Sequence, residues 1–342
     1  METHLRNFIA GAWGSTDVSR FPGPQPVSIE RRHFPLLKKQ PYMVCEKTDG
    51  VRVMLVSTTF EGKKLCVLVN RAFHVEEITL NVPRETILDC ELVGNLILVY
   101  DAVLVKGVDV TKKPLTERLA AASSATKTIL RTMKDKFTIK VKKMYPLAEI
   151  RTVLEAEYPY ETDGLVFTPI NEPVRMGTHE TMFKWKPRNT ITIDFVVKHT
   201  GKFIDRGHAG HEPVYDIYIA DKDKLRSVTI FNPLVQYKDL ESYEDRIVEC
   251  GYGDSGWYFI KVREDKTYPN NLRTFERTLV NIKEDIQPWY RGIYKADGTL
   301  EDTVDNQEYV KKQCDYYLDS IEKTFETVNN ARRTYLGWFP ID

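Results

Sequence analysis

The 342-residue chain reads as an α+β protein in two parts. Three observations predict this class. Residues 42–106 hold one apolar, β-branched segment after another, with turn residues between them. Apolar stripes at helical spacing follow at about 115–133 and 146–157, before further strand-like segments. Near Asn189 the character changes to short strands separated by Gly, Asp and Lys loops, a pattern that suits a small β-barrel.

Taken in order, residues 1–25 are polar, and "FPGPQP" reads as a proline-rich entry to the folded part. "SIERRHFPLL" suggests a short helix or turn. Six strands are expected from "YMVCEK", "VRVMLVST", "KLCVLVN", "HVEEITL", "TILDCELVG" and "LILVYDAVLV". Leu115, Leu119, Ala122 and Ile129 stripe the first helix, and Pro146 sits in the first turn of the second. "DGLVFTP" and "TMFKWKP" return to strand and complete a mixed domain built on antiparallel sheet, at 1–190. The barrel region, 191–285, carries "ITIDFVVK", "VYDIYIA", "SVTIFN", "RIVECG" and "GWYFIKVR". It ends in a helix from about Leu272 to Glu284, with Leu272, Phe275, Leu279 and Ile282 on one face. Residues 286–342 form an extension whose stretch 305–333 is also amphipathic, and it either packs back on the first domain or meets a partner.

Composition excludes several classes. Lys plus Arg equals Asp plus Glu, 49 each, so a bulk basic field is absent and any nucleic acid must meet a local groove. The five cysteines are scattered without a CxxC pair, which fits reduced, buried thiols in an intracellular protein. The first thirty residues lack the apolar run of a signal peptide, and no stretch approaches the roughly twenty apolar residues of a membrane span.

The chemistry-bearing residues are individually ambiguous. Lys47, in "VCEKTDGVRVMLV", taken alone fits a solvated lysine beside a hairpin turn better than it fits a nucleophile. A nucleophilic lysine needs its pKa, near 10.4 when free, lowered by burial or by nearby cations. Lys184 and Lys186 in "TMFKWKP" are two apart on a strand and share a face, with Phe183 and Trp185 opposite. Two such lysines can bind phosphate, or can form an ordinary polar sheet face. Asp89 and Glu91 in "LDCELVG" also share a face, and Asp163 opens the strand "DGLVF". Carboxylates so placed suit a Mg²⁺ or Mn²⁺ ion held mainly by nucleotide phosphates, and each alone also suits a turn or edge charge. In "VREDKTYPNNLRT", Arg263, Asp265 and Lys266 can clamp a polyphosphate or form a solvated connection. His208 and His211 lack zinc-ligand company, and no Walker loop is present.

The order of these pieces is more telling than any one of them. Lys47-x-Asp49-Gly50-x-Arg52 is followed by Asp89-Cys90-Glu91-Leu92, Val99-Tyr100-Asp101-Ala102, Asp163-Gly164-Leu165-Val166, Lys184-Trp185-Lys186-Pro187 and Arg263-x-Asp265-Lys266-x-x-Pro269-Asn270. This resembles the ordered motifs of covalent nucleotidyltransferases, the superfamily of mRNA capping guanylyltransferases and polynucleotide ligases. The last motif, RxDKxxPN, resembles the capping form. "PGPQPVSIERRHF", "EKTDGVR", "TITIDFVV" and "IVECG" resemble the capping enzymes of large DNA viruses, chlorella virus type. The likeness spans about residues 20–285.

The resemblance implies a ligase-type (ATP-grasp-like) nucleotidyltransferase domain and a C-terminal OB-fold lid. It implies that Lys47 attacks the α-phosphate of GTP, expels pyrophosphate, and passes GMP to the 5′-diphosphate end of RNA. Arg52 and Glu91 then contact the ribose or order the site around Lys47, and Arg71 contacts ribose or phosphate. Tyr100 stacks on guanine where the family often has Phe, and Lys142 hydrogen-bonds the guanine carbonyl. Asp163 serves a Mg²⁺ or Mn²⁺ step, and Lys184 and Lys186 hold the α-phosphate. Arg263, Asp265 and Lys266 swing in on the lid toward the β- and γ-phosphates. RNA triphosphatase and cap methyltransferase activities are expected on other chains or domains, and the protein itself in the nucleus or cytoplasm of an infected host cell. Cys90, where the family commonly has Gly, points away from Asp89 and Glu91 and into packing. The rival readings are an ATP-dependent DNA or RNA ligase and a noncatalytic nucleic-acid-binding scaffold.

Overall fold

The computed structural model describes residues 1–127, 129, 136–205, 210–228, 240–253 and 256–286. The sequence-derived amphipathic stretch at 305–333 lies outside the described residues, as does Cys314. The described residues fall into two compact units. One comprises Met1–Ile29 and His33–Trp185, the other Glu30–Arg32 and the described part of Lys186–Gln287.

The first unit opens with helix α1 (Glu2–Ala12), where the sequence suggested only a polar lead-in. Leu5 and Ile9, four apart, are fully buried on its inner face. Strand β1 (Pro24–Ser28) and short helix α2 (Phe34–Lys39) follow. Then come β2 (Tyr42–Thr48), β3 (Val51–Phe60), β4 (Lys63–Asn70), β5 (Val75–Glu77), β6 (Thr86–Val93), β7 (Leu96–Val105) and β8 (Val108–Asp109). Helix α3 (Leu115–Lys127), β9 (Thr138–Val141), β10 (Tyr145–Pro146), helix α4 (Ile150–Glu155), β11 (Thr162–Pro169) and β12 (Gly177–Trp185) complete it. The helix expected at 146–157 is thus shorter, because Pro146 pairs with Met43 as strand.

These strands form two sheets. One runs β1-β12-β11-β2-β10 and the other β5-β4-β3-β6-β7-β8, with β9 beside β7. Pairing is mostly antiparallel, except that β1 joins β12 and β9 joins β7 in parallel. The larger sheet is covered on both faces, which explains the unbroken apolar run Val53–Val56. Leu55, Leu88 and Val99 pack toward Ala122 and Ala125 of α3, while Met54, Val56 and Val67 pack toward Leu5 and Ile9 of α1. Cys90 lies in the α3-side core, as expected.

The second unit contains β13 (Thr192–Asp205), β14 (His211–Asp221), β15 (Lys224–Ser227), β16 (Ile247–Gly253), β17 (Gly256–Val262) and helix α5 (Leu272–Glu284). Asn271 caps α5 by accepting from the Thr274 N–H at 2.8 Å, and Phe275, Leu279 and Ile282 face the core as their spacing requires. The expected closed barrel is not seen among the described residues. The strands form an open sheet, β15-β14-β13-β16-β17, and most of "SVTIFN" falls outside the described residues.

Candidate active site

Asp49-Gly50 is not a hairpin turn. β2 and β3 belong to different sheets, and these two residues carry the chain from one to the other. A Cβ on Gly50 would lie 2.7 Å from the Leu92 carbonyl oxygen and 2.9 Å from Glu91 Cγ, so only glycine lets the crossing press against the end of β6. The Asp49 N–H donates to the Glu161 carbonyl at 3.0 Å and ties the crossing to the start of β11.

Lys47 is the last half-buried position of β2 before this crossing. Opposite it the ladder is irregular: Thr162 pairs with Thr48 and Leu165 with Glu46, so Asp163 and Gly164 together oppose Lys47. Such a bulge turns a side chain out of the regular alternation. Gly164 adopts φ 150, which an L side chain would resist. The result is a 2.7 Å hydrogen-bonded ion pair from Lys47 Nζ to Asp163 Oδ1, with side-chain exposures of 25% and 19%. Water can therefore reach a pair that is otherwise well enclosed.

The β2–β11–β12 register puts Cys45, Val166 and Lys184 in one row. Lys47, two residues beyond Cys45, shares the face to which Lys184 belongs. Phe183 and Trp185 are buried on the other side of the alternation, as expected. Lys186 lies beyond the end of β12 and belongs to the second unit.

Lys142 follows β9 and reaches from the larger sheet to β2. Its Nζ donates to the Glu46 carbonyl at 2.8 Å and to Thr48 Oγ1 at 2.6 Å, and lies 3.2 Å from Glu46 Oε1. Tyr160 donates to the same Glu46 oxygen at 2.9 Å. Lys142 thus clasps the residues on both sides of Lys47. Sequence reasoning missed Glu46 and Thr48, whose only signal was polarity inside an apolar strand, and Tyr160, which lies in the bend before β11.

Arg52 stands opposite Glu91 across β3 and β6. Its Nε and NH2 grip Asp89 at 2.9 and 2.5 Å, and NH1 donates to the Pro24 carbonyl at 2.7 Å. Tyr100 donates to Asp89 Oδ1 at 2.5 Å. That contact depends on a second bulge: Cys90 pairs with Val99 and Asp89 with Asp101, leaving Tyr100 as the extra residue. Asp89 is fully buried and engaged by Arg52 and Tyr100. Burial pushes the Glu91 carboxyl up, against the opposing pull of Lys142, Lys47 and Arg52. Glu91 therefore sits within the field of all three cations.

The remaining expected residues lie elsewhere. Arg71 is exposed in the turn between β4 and β5, outside the hydrogen bonds of this cluster. Arg263 of the second unit donates bidentately to Asp265 at 2.8 and 2.7 Å and contacts Asp194 at 3.0 Å. Hydrogen bonding from Arg263 pulls the Asp265 carboxyl down to about 2. Lys266 lies 3.4 Å from Asp194. Asp265 is thus the counter-ion of Arg263, so it is Arg263 and Lys266 that have the charge to meet a phosphate.

Among the described residues no three His, Cys, Asp or Glu side chains gather as a metal cage. Asp163, 19% exposed, offers a hard carboxylate oxygen of the type a divalent ion takes.

The family model "mRNA capping enzyme, catalytic domain" matches residues 2–188, and "mRNA capping enzyme, C-terminal domain" matches 175–288. An mRNA-capping enzyme subunit alpha of Schizosaccharomyces pombe is 28% identical, over 90% of this chain and 86% of its own. That of Yarrowia lipolytica is 26% identical, over 78% and 80%. An mRNA-capping enzyme of Danio rerio is 27% identical over 75% of this chain, which spans 46% of that longer protein. A solved structure, mycobacterial DNA ligase D complexed with ATP and MES, superposes with TM-score 0.39 and 11% identity over 71% of this chain and 95% of its own.

Proposed function

Because this chain belongs to the mRNA capping enzyme family, we propose that it is an mRNA guanylyltransferase whose nucleophile is Lys47. The observation that carries the assignment is the Lys47–Asp163 pair, set by a bulge at the seam of two sheets. Lys47 gives up to water the proton engaged with Asp163, its lone pair attacks the α-phosphorus of GTP, and a second proton leaves the nitrogen as the phosphoramidate forms. The bond to pyrophosphate breaks as the N–P bond forms. The lysyl-GMP then meets the 5′-diphosphate end of RNA. A terminal β-phosphate oxygen takes the phosphorus, the N–P bond breaks as its nitrogen takes a proton from water, and the GpppN cap leaves with Lys47 free.

The other residues serve this exchange. Arg52 and Glu91 meet the ribose, Tyr100 stacks on guanine, and Lys142, beside Thr48, reads its carbonyl. Lys184 and Lys186 hold the α-phosphate, Arg71 contacts ribose or phosphate, and Arg263 with Lys266 serves the leaving pyrophosphate. Asp163 holds a Mg²⁺ or Mn²⁺ ion, which when bound neutralises charge on the phosphates. Residues 191–285 act as the OB-type lid, and 286–342 as an extension. RNA triphosphatase and cap methyltransferase steps fall to other chains or domains, and this protein acts in the nucleus or cytoplasm of an infected host cell. Among the described residues no helix is long and apolar enough to cross a membrane.

Incubation with α-labelled GTP or ATP and a divalent metal, then denaturation, tests the assignment. GTP should leave a labelled adduct, stable to alkali and labile to acid, and Lys47→Ala should abolish it. Labelling by ATP alone would identify a ligase, and labelling by neither would identify a scaffold.

A further inference from the structure

The segment Phe21-Pro22-Gly23-Pro24 is distant in sequence from every motif that carries the chemistry, yet it touches the Arg52 guanidinium. The Pro24 carbonyl accepts from Arg52 NH1 at 2.7 Å. Gly23 lies against the same group: a Cβ there would be 2.2 Å from NH2 and 3.0 Å from Cζ. The guanidinium has little freedom to retreat, because Asp89 grips Nε and NH2 from its other edge. Asp89 is itself fixed by the Tyr100 hydroxyl. The rings of Phe21 and Tyr100 each lie 5.9 Å from Arg52 Cζ.

The local sequence explains the fit. Two prolines lock φ on either side of Gly23, and a residue before proline is barred from the helical region. Gly23 adopts φ 125, a value that glycine takes without strain. The prolines make the segment stiff, and the glycine provides both the bend and the close approach. A guanidinium has five N–H donors, and three are engaged here by Asp89 and Pro24. Three anchors fix its plane and leave its remaining donors in set directions.

We propose that the Phe21–Pro24 segment is a positioning element of the nucleotide site, which sets the Arg52 guanidinium for the ribose of the incoming nucleoside triphosphate. The inference rests on the reading above that Arg52 meets the ribose. It gives the proline-rich entry a role in the reaction, and it makes Gly23 and the Tyr100 hydroxyl positioning groups that act through Arg52 and Asp89.

The test compares adduct formation from GTP and 3′-deoxy-GTP in the full chain, as the ratio of kcat/KM values, for Arg52→Ala, Gly23→Ala and Tyr100→Phe. Tyr100→Phe keeps the ring and the backbone, so it reports on the hydroxyl even where Gly23→Ala perturbs folding. Gly23→Ala should raise KM for GTP about tenfold with kcat within about twofold, and should erase most of the preference for the 3′-hydroxyl. Tyr100→Phe should move both quantities the same way, by about threefold. Gly11→Ala, where a Cβ meets nothing within 4 Å, is the neutral control. If Arg52→Ala leaves the sugar preference intact, the ribose reading and the inference both fall. If Arg52→Ala erases it while Tyr100→Phe and any folded Gly23→Ala protein retain it, the inference alone falls.

Discussion

Lys47 and Lys142 share a residue type, and their surroundings separate them. Lys142 is 7% exposed, and its three N–H donors meet the Glu46 carbonyl, the Glu46 carboxylate and Thr48. To read a guanine carbonyl it must share or exchange one of these bonds. Lys47 pairs with Asp163 at 2.7 Å and remains partly open, as the nucleophile proposed for it requires. Glu284 shows the same rule in the second unit. Its Oε2 accepts the Arg31 N–H at 2.9 Å, while its buried Oε1 has no hydrogen-bond partner among the described residues. Burial, with Glu30 nearby, pushes its carboxyl up to about 7 despite Arg31 and Arg32. A carboxyl whose folded pKa is raised disfavours ionisation in the fold. Its contribution to stability is complete below the ordinary carboxylate range and declines as pH rises through about 7. Glu284→Gln should therefore be more stable than the parent at pH 8 by on the order of 2 kcal/mol, with the difference shrinking by pH 5. Thermal melts of both proteins across that range check this, and a pH-independent difference would refute it.

At the scale of elements, two one-residue bulges decide where functional groups point. The β11 bulge aims Asp163 at Lys47, and the β7 bulge aims Tyr100 at Asp89. Gly164 marks the first in the sequence, since a glycine within a strand often signals irregular pairing. "VYDAVLV" carries no glycine, so the second could not be read there. Helix α3 is fastened by a different device. Arg118, 2% exposed, donates bidentately to Asp101 of β7 at 2.7 and 3.0 Å and to the Lys113 and Glu172 carbonyls at 2.6 and 3.1 Å. Arg118→Leu leaves Asp101 and two carbonyls buried without their donor, so urea denaturation should show a loss of about 3–5 kcal/mol. A loss below about 1 kcal/mol would show that α3 is held by its apolar face alone.

For the whole molecule, the Arg263 and Lys47 motifs lie in different compact units, so the two half-reactions need not depend equally on both. Arg263 is held by Asp265, Asp194 and Glu249, all within its own unit, and the Asp265 hydrogen bond leads in keeping it protonated. A polyphosphate must compete with these carboxylates for its donors. Arg263→Ala should therefore depress adduct formation from GTP about a hundredfold, and GMP transfer from preformed adduct by less than about threefold. Single-turnover assays of the two steps check this, and equal losses would refute it.

Much of the fold was legible because local pattern carries it. The alternation and apolar runs between Tyr42 and Val105 gave the strands, and the spacing of Phe275, Leu279 and Ile282 gave α5. Helix α1 was missed because Leu5, Phe8, Ile9 and Ala12, though helically spaced, are diluted by polar neighbours. Of the residues the motif order pointed to, Lys47 and Asp163 meet, and Arg52 stands opposite Glu91. That order could not show that Asp49-Gly50 joins two sheets, that Asp89 is a buried anchor, or that Pro24 touches Arg52. The sequence by itself determined the strand and helix periods, the residue types available for the chemistry, and their order along the chain, because those depend on neighbours a few residues apart. Only the tertiary structure decided which side chains meet, because strand register, bulges and the crossing between sheets depend on contacts dozens of residues apart.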